Sequence, residues 1–590
     1  MTTTSVGEGR ISRRSALQGM GVTALGIAGA ALLGCGDSNA SSVQRAVVAA
    51  GKAGSDIRGR SLPMVAPVVQ GTKRPGGTVT QSTGPTTYVQ HDPRTALAAS
   101  EWHLISDKCV ELDAITRAIQ PSVLTSWEVA DPNGLTLTLK VRPGLKIHNV
   151  PPWNGRDFDA FDVAWNLERM GLFPKQESIP VAAFQRASMV ANLTKAVAVD
   201  PQTVKVTLST PNSAFFAGLG DPRMMLMPKE MDQVGYNDAM KLGSMGPYQI
   251  AEYTKDVRER LTKFPQYWRA GEPTFDEVVM QTIPDASSAE AAFESGQIQM
   301  ISPVPSRLST IQQQKPDANL YTWVDSNWEF LRPVMTYAPF KDVRVRQALH
   351  LATDYADIGN GYYGPGWAYQ AAFCAGFPEA WSPDKVKSLA GYNPDTKAND
   401  RADAAKLLEA AGFPQGKGID FLLEFADIAP SAAANATRFQ TQMQQVFTDI
   451  KVRVASVDLA TLAMEQTAGR CQMVSYMISA NSDAVPEMNA QYHTVAPGGS
   501  GYGNYGGFSN RGLDTLIEKA QAELNHNTRA QLLDQFQQRW VDEWRPLIVL
   551  HANPAVALIQ GDICGYEKSA GTWHGYGDWT RIREWYYAAK

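Results

Sequence analysis

The residues that could carry out catalysis form no recognisable catalytic motif in this 590-residue chain. The sequence has no GxSxG nucleophile elbow, no HExxH zinc motif, no GxxxxGKS/T phosphate loop and no GxGxxG opening a helix. No two histidines stand at i, i+4 spacing, and no carboxylates are paired for acid–base work. The eight scattered histidines are His91, His103, His148, His350, His493, His526, His551 and His574. We therefore expect no enzymatic activity, no metal site and no cofactor.

Two arginines and a cysteine near the N-terminus have the chemistry of an export signal and a lipid attachment site. Arg13 and Arg14 precede an uncharged stretch, residues 15–34, that is rich in Gly and Ala. A basic region followed by a short apolar region is typical of a secretory signal, and a spanning helix would need about 20 strongly apolar residues. The Leu-Leu-Gly-Cys sequence ending at Cys35 resembles the lipobox of bacterial lipoproteins, and the arginine pair resembles the twin-arginine export signature. Residues 1–35 are therefore predicted to be a twin-arginine-like lipoprotein signal peptide that is lipidated at Cys35.

Composition limits the kinds of structure possible after the signal. Residues 36–75 mix Ser, Ala, Gly and Val without a sustained period, which predicts a flexible tether. The rest of the chain is too long for one hydrophobic core, so two or three subdomains are expected. A hydrophobic content of 44% and a charged content of 19% are typical of a soluble globular protein. The net charge of -5 gives no electrostatic reason to expect nucleic-acid binding.

Four cysteines remain after Cys35, and their wide spacing excludes a CxxC pair or a zinc knuckle. Outside the cytoplasm they could form up to two disulfides, or they could be buried thiols. Both alternatives stay open for Cys109, Cys374, Cys471 and Cys564.

Two local patterns predict where secondary structure begins and ends. Leu135, Leu137, Leu139 and Val141 alternate along one face of a strand that a Pro-Gly turn closes. The acidic run 157–162 then offers an N-cap and an acidic first turn for a helix through residue 169.

Asp342 is placed to cap a helix that starts at Val343. Arg344 and Arg346 flank Val345 on that helix, and we expect them to form ion pairs or to bind carbonyl groups within their lobe. We do not assign them to a ligand.

An ordered set of segments resembles the extracellular solute-binding proteins of family 5, which serve ABC transporters for peptides and nickel. The run 121–148 and the helix after Asp157 match the start of that family's pattern, with an insertion at Asn149–Gly155. Gln299 stands where the family usually has an acid. The remaining matching segments are Val197–Asp200, Met227–Lys229, Gly243–Tyr248, Pro265–Trp268, Pro339–Leu349, Tyr392–Asp395 and Ala405–Phe413.

The resemblance implies an α/β fold of the two-lobed periplasmic binding protein type, with an extra subdomain in lobe one. Lobe one is predicted at 76–325 plus 546–590, with its side subdomain at about 105–195. Lobe two is predicted at 326–545. Two strands that cross between the lobes would form the hinge.

The implied function is capture of a peptide or other small polar solute by lobe closure, followed by delivery to the permease of an ABC importer. We expect a monomer, exported and lipid-anchored in the periplasm or on the outer face of the cytoplasmic membrane. The alternatives are an exported hydrolase, and an orphan binding protein that acts as a sensor or chaperone.

The resemblance also suggests ligand-binding residues. In peptide-binding relatives an acid in a loop of lobe two holds the ligand ammonium, which makes Asp483 the candidate here; the alternative is a surface turn carboxylate. The loop lacks the family's Trp. Arg223 lies where some relatives hold an anionic ligand. Tyr362, Tyr363 and Trp367 could be stacking walls or core aromatics. The other candidates are Tyr88, Met245, Ser479 and Asn481.

Overall fold

The structure is a computed structural model of the whole chain. The residues it describes are 44–46, 54–55, 61–62, 68–83, 91–94, 102–112, 118–131, 133–171, 187–190, 192–303, 307–364, 366–427, 430–479, 482–495, 501, 503–566 and 581–589. The predicted signal at Arg13, Arg14 and Cys35 lies outside these residues, as do Tyr88 and Asn481.

Strands rich in Val, Leu and Ile run through the described chain. Those before residue 290 are β1 (Gln44–Ala46), β2 (Gly54–Ser55), β3 (Ser61–Leu62), β4 (Val68–Gln70), β5 (Lys73–Arg74), β6 (Thr78–Thr83), β7 (Val110–Leu112), β8 (Ile119–Pro121), β9 (Leu124–Val129), β10 (Thr136–Val141), β11 (Leu145–Lys146), β12 (Asp157–Phe158), β13 (Leu193–Asp200), β14 (Thr203–Leu208), β15 (Tyr248–Thr254), β16 (Arg258–Lys263) and β17 (Glu277–Thr282). The later ones are β18 (Met300–Ile301), β19 (Asn319–Pro333), β20 (Asp420–Ala426), β21 (Lys451–Val457), β22 (Met473–Ser479), β23 (Ile548–Ile559), β24 (Ile563–Cys564) and β25 (Tyr586–Ala588).

The helices are concentrated in the second half of the chain. They are α1 (Trp102–Ile105), α2 (Ala160–Gly171), α3 (Phe215–Leu219), α4 (Met231–Val234), α5 (Ala286–Glu294), α6 (Leu308–Gln314), α7 (Ala338–Lys341), α8 (Val343–Ala352), α9 (Tyr355–Tyr363), α10 (Pro383–Lys387), α11 (Lys397–Ala410), α12 (Pro430–Val446), α13 (Leu459–Thr467), α14 (Ala484–Tyr492), α15 (Arg511–Ala522) and α16 (His526–Arg539). None of the described helices combines the length and the apolar character needed to cross a bilayer.

One mixed sheet of ten strands runs through the molecule in the order β15-β16-β17-β6-β18-β23-β19-β22-β20-β21. Its two central strands, β23 and β19, are antiparallel and long. A separate four-stranded antiparallel sheet, β13-β14-β10-β9, is packed against α2. This sheet covers much of the range predicted for the side subdomain, and its last strand extends to Leu208.

Buried apolar side chains form two large hydrophobic cores. The first core draws on residues from Val79 to Trp323 and again from Ala557 to Tyr587. The second core draws on residues from Trp328 to Leu550, together with Ala214. The chain therefore passes from one core to the other within β19 and returns within β23.

The local sequence predictions are confirmed where the pattern was clearest. Leu137, Leu139 and Val141 are buried along β10. Helix α2 begins at Ala160, and the Asp159 carboxylate accepts from the Phe161 amide at 2.9 Å.

The predicted cap of α8 is also confirmed, because Asp342 accepts from the backbone N–H of Arg344 at 2.8 Å. The Arg344 guanidinium forms an ion pair with Asp342, which holds the pKa of that carboxyl below its usual range. Arg346 is buried and donates to the carbonyls of Trp544 and Arg545. Both arginines are structural, as expected.

The C-terminal part of the predicted tether belongs to the folded body. Lys73–Arg74 (β5) pairs with β25, and Val69 is buried in a small cluster with Cys564 and Ala588. Apolar contact with the C-terminal strand explains this difference, which the unpatterned composition of residues 36–75 could not reveal. The four later cysteines, Cys109, Cys374, Cys471 and Cys564, are all buried thiols.

Candidate functional site

The register between β19 and β23 breaks where the two strands pass between the cores. Val324 pairs with Pro554 and Trp328 pairs with Ala552, so three residues of β19 lie opposite Asn553 alone. Pro554 has no N–H to donate to the ladder. Extra residues inserted into one strand of a pair bend that strand locally. Here the insertion lies where β19 and β23 pass between the cores, and among the described residues these are the only two strands that do so.

A buried carboxylate lies beside this break and is held by neutral donors. Glu329 on β19 is 1% exposed. Its Oε1 accepts from Tyr363 Oη at 2.7 Å and from Asn553 Nδ2 at 3.2 Å, and its Oε2 accepts from Asn435 Nδ2. Tyr363 lies on α9, Asn435 on α12 and Asn553 on β23, so three elements converge on one side chain of a fourth.

His551 completes this group. Its Nδ1–H donates to Asn553 Oδ1 at 3.2 Å, since the Asn553 amide nitrogen already donates to Glu329. Burial lowers the pKa of His551, so the ring is neutral at pH 7. Burial and the charge of Glu329 raise the pKa of Tyr363, which keeps its hydroxyl as a donor. We call Glu329, Tyr363, Asn435, His551 and Asn553 the Glu329 cluster.

The predicted aromatic walls lie next to this cluster. Tyr362 packs edge-on against Tyr363, with ring centroids 4.8 Å apart. Trp367 packs near His551 at 6.2 Å and donates from Nε1 to Asn360 Oδ1 at 2.8 Å. Both Tyr362 and Trp367 are only partly buried, so each keeps surface that a ligand could contact.

Asp483 is engaged by the protein itself. Its carboxylate caps α14 by accepting from the Val485 amide at 2.9 Å. It also forms an ion pair with Arg529, a buried residue that pairs with Glu379 at 3.1 Å. The charges of Asp483 and Glu379 raise the pKa of Arg529 against the opposing effect of burial. The charge of Asp483 is therefore balanced by Arg529 within the protein, and its predicted ligand role stays a prediction.

The other predicted residues are dispersed. Ser479 is the last residue of β22 and pairs with Asn327 of β19. Arg223 is buried, and its Nε and Nη2 donate to the Asp221 carboxylate at 2.8 and 2.9 Å. Met245 is buried in the first core. These contacts do not bring Arg223 or Met245 to the Glu329 cluster.

The turn that carries Met245 is fixed by a buried histidine. His148 Nε2 donates to the Gly246 carbonyl at 3.1 Å, while Nδ1 faces the Ser244 amide at 3.4 Å. Burial lowers the pKa of His148 to about 4. Across the described ranges, no group of three or more His, Cys, Asp or Glu side chains is arranged to hold a metal ion.

Of the Glu329 cluster, sequence reasoning named only Tyr363, as a possible stacking wall, and it singled out none of the other four members as a site residue. A signal was present, because Glu329 interrupts the apolar run Trp328–Leu331, and His551 and Asn553 alternate in a strand that begins Ile548-Val549-Leu550. A buried strand normally reads as a continuous apolar run. Polar residues that break such a run indicate a specific partner.

The second core also touches the first through a short segment. Ser213 donates from its amide to the Gln521 carbonyl at 2.8 Å and from its hydroxyl to the Ala520 carbonyl at 3.0 Å. Arg529 Nε donates to the Ser213 hydroxyl at 3.1 Å. The adjoining side chains divide between the cores, Ala214 in the second and Phe215 in the first.

Comparison with known proteins agrees with this architecture. The sequence profile of the bacterial extracellular solute-binding proteins, family 5 Middle, matches residues 118–500. The glutathione-binding protein GsiB of Shigella flexneri is 27% identical over 352 residues, which span 58% of this chain and 61% of GsiB. The chain thus matches about three fifths of the length of this curated relative.

Solved structures show the same fold. The periplasmic binding protein DppA from Helicobacter pylori, in complex with peptide STSA, has a TM-score of 0.72 at 20% identity and covers 88% of this chain and 99% of DppA. AgaA from A. tumefacien R10, in complex with agropinic acid, has a TM-score of 0.69 at 21% identity and covers 87% and 99%. The predicted two-lobed α/β fold of periplasmic binding proteins is confirmed. With its profile match over residues 118–500, the chain belongs to the bacterial extracellular solute-binding proteins of family 5.

Proposed function

We propose that this protein is the substrate-binding component of an ABC importer, which captures a peptide or other small polar solute and delivers it to a permease. One observation carries the proposal: two strands, β19 and β23, pass between two separate hydrophobic cores and lose their register at the crossing. This is the arrangement a hinge requires, because the few residues at the crossing can absorb a change in backbone angles while both cores stay packed.

The proposed lobes follow the cores. Lobe one comprises residues 76–325 plus 546–590, and lobe two comprises 326–545. The transfer from one core to the other between Trp323 and Trp328, and the return between Leu550 and Ala557, support these boundaries.

Capture would work by closure. A solute that contacts both lobes binds the closed form better than the open form, and only this difference in affinity shifts the equilibrium. The Glu329 cluster, with Tyr362 and Trp367, supplies the polar groups and aromatic surfaces that small-molecule sites combine. The protein itself would catalyse nothing.

Export and anchoring belong to the same proposal. Arg13 and Arg14 would direct the chain out of the cytoplasm, and Cys35 would carry the lipid that holds it at the membrane. The tether would begin at residue 36 and let a monomeric body reach its permease.

The test is native mass spectrometry of protein purified without denaturation, followed by thermal melting with the released solute. We expect a co-purified small solute whose addition raises the melting temperature of stripped protein. An empty protein that no fraction of a rich-medium extract stabilises would contradict the proposal. Turnover of peptide or ester panels would show a hydrolase instead.

A further inference from the structure

The Glu329 cluster contains more hydrogen-bond acceptors than donors. Glu329 accepts only from neutral groups, and no Lys or Arg of the described chain forms an ion pair with it. The Asn435 side-chain oxygen is buried and has no hydrogen-bond partner among those residues. The Nε2 atom of His551 is equally buried and without a partner there.

The tautomer of His551 makes its free nitrogen an acceptor. Nδ1 carries the hydrogen that is donated in the bond to Asn553. Nε2 of the neutral ring therefore has a lone pair and no hydrogen. The second amide shows the same imbalance, since Asn435 uses its nitrogen on Glu329 and leaves its oxygen unused. A buried negative charge and two unused acceptors in one cluster cost free energy until a donor arrives.

The group that suits such a cluster is an ammonium. It carries one positive charge, three N–H donors and no acceptor. A carboxylate or a phosphate would instead meet Glu329 and two further acceptors, and would be repelled.

The cluster lies close below the protein surface. Met477 pairs with Glu329 across the sheet, contacts Asn553 through its sulfur at 3.3 Å and is 39% exposed. Tyr362 and Trp367, which are partly exposed, cover the side of Tyr363 and His551. A flexible Met side chain can move aside at low cost.

Asp483 cannot serve as this acid while Arg529 holds it. Its carboxylate already has a buried cation and a helix cap, whereas Glu329 has neither.

We propose that the Glu329 cluster is the subsite that binds the ammonium group of the captured solute, so the protein selects small solutes that carry a primary amine. This inference rests on the proposed function of solute capture.

The experiment offers stripped protein two probes, a yeast extract and the same extract after exhaustive acetylation of its amines. Retained solute is measured by native mass spectrometry. Wild-type protein should retain at least about tenfold more from the untreated extract, as expected when a charged hydrogen-bonded partner is lost. Glu329→Gln should remove this preference, and Glu290→Gln, which alters a buried carboxylate paired with Arg307 in a remote part of the chain, should preserve it.

A second variant keeps the test decisive if Glu329→Gln does not fold. His551→Phe keeps a buried ring and removes the Nε2 acceptor, together with the Nδ1–H bond to Asn553. Tyr363, Asn435 and Asn553 remain as donors to Glu329, and the variant should also lower the preference for amines. Circular dichroism and thermal melting would check that each variant is folded.

Three results would overturn the inference. Equal retention from both extracts by the wild type would mean that water satisfies the acceptors, with solute capture itself still standing. Loss of the preference in Asp483→Asn but not in Glu329→Gln would move the subsite to Asp483. Retention from neither extract would contradict solute capture as well.

Discussion

At the residue scale, some buried carboxylates of this chain have a cationic partner, and Glu329 has only neutral ones. Asp483 and Glu379 share the buried cation of Arg529. Glu329 is surrounded only by neutral donors. Since a buried charge is costly unless it is paired, the first arrangement stabilises the fold, and the second favours a ligand that brings the missing charge.

His148 makes stability depend on pH. Its pKa is lowered by burial to about 4 in the folded chain, against roughly 6.5 unfolded. The unfolded state therefore binds the proton more readily. The contribution to stability is complete above about pH 6.5 and is lost as pH falls towards 4, reaching roughly 3 kcal/mol.

The measurement is urea unfolding between pH 7 and 4. His148→Gln should reduce the slope of the unfolding free energy against pH by up to about 1.4 kcal/mol per pH unit, which corresponds to one proton taken up on unfolding. His526→Gln is the control, because that ring is exposed at the start of α16. Identical pH dependence in His148→Gln and wild type would show that His148 is not the buried neutral group described.

The candidate site was only partly predictable from sequence. Tyr362 and Trp367 lie beside the Glu329 cluster, yet the acid at its centre was not predicted. Glu329, Asn435 and Asn553 are separated by more than a hundred residues along the chain, and no local pattern shows that their side chains converge. Asp483 was chosen from loop position alone, and sequence could not show that Arg529 folds back onto it.

At the element scale, local rules predicted the helices and strands whose signals are local. The N-cap of α8 and the alternation in β10 follow from single turns and side-chain periodicity. The passage of β19 from one core to the other cannot be predicted in this way, because the strand has the same kind of apolar residue on both sides of the register break. Only tertiary packing decides which core each residue enters.

The contact of Ser213 with the end of α15 predicts a measurable effect on closure. If the molecule opens at β19 and β23, the bonds from the Ser213 hydroxyl to Ala520 and from Arg529 to that hydroxyl must break. Ser213→Ala removes both and keeps the backbone bond to Gln521. At about 1 kcal/mol for each of these two hydrogen bonds, the ratio of closed to open form should fall about thirtyfold, and solute affinity should fall with it.

Energy transfer between dyes at Val257→Cys and Met464→Cys would report closure, since both positions are exposed and the four later native cysteines are buried. Ser209→Ala is the matched control, because the Ser209 hydroxyl bonds to Asn192 within the first half of the chain. Unchanged transfer efficiency in Ser213→Ala would show that this segment does not hold the lobes together.

At the scale of the whole molecule, the predicted architecture and family are confirmed, and the boundary of the tether is not. Composition alone placed the end of the tether at residue 75, but β5 pairs with the last strand of the chain. The folded body therefore includes residues 73–74, which pair with residues 587–588. A lipid at Cys35 would lie on the N-terminal side of this pairing.

The anchor gives the last prediction. Acyl chains contribute roughly 0.8 kcal/mol per buried CH₂, and stable attachment needs two chains or a second signal. If Cys35 carries two or three chains, Cys35→Ala should move the protein from the membrane fraction to the soluble fraction while solute binding is unchanged. Ser41→Ala, six residues further on, should stay with the membrane. Cys35→Ala protein that still sediments with membranes after a high-salt wash would show that another part of the chain holds it there, because salt removes electrostatic attachment and leaves burial of apolar groups intact.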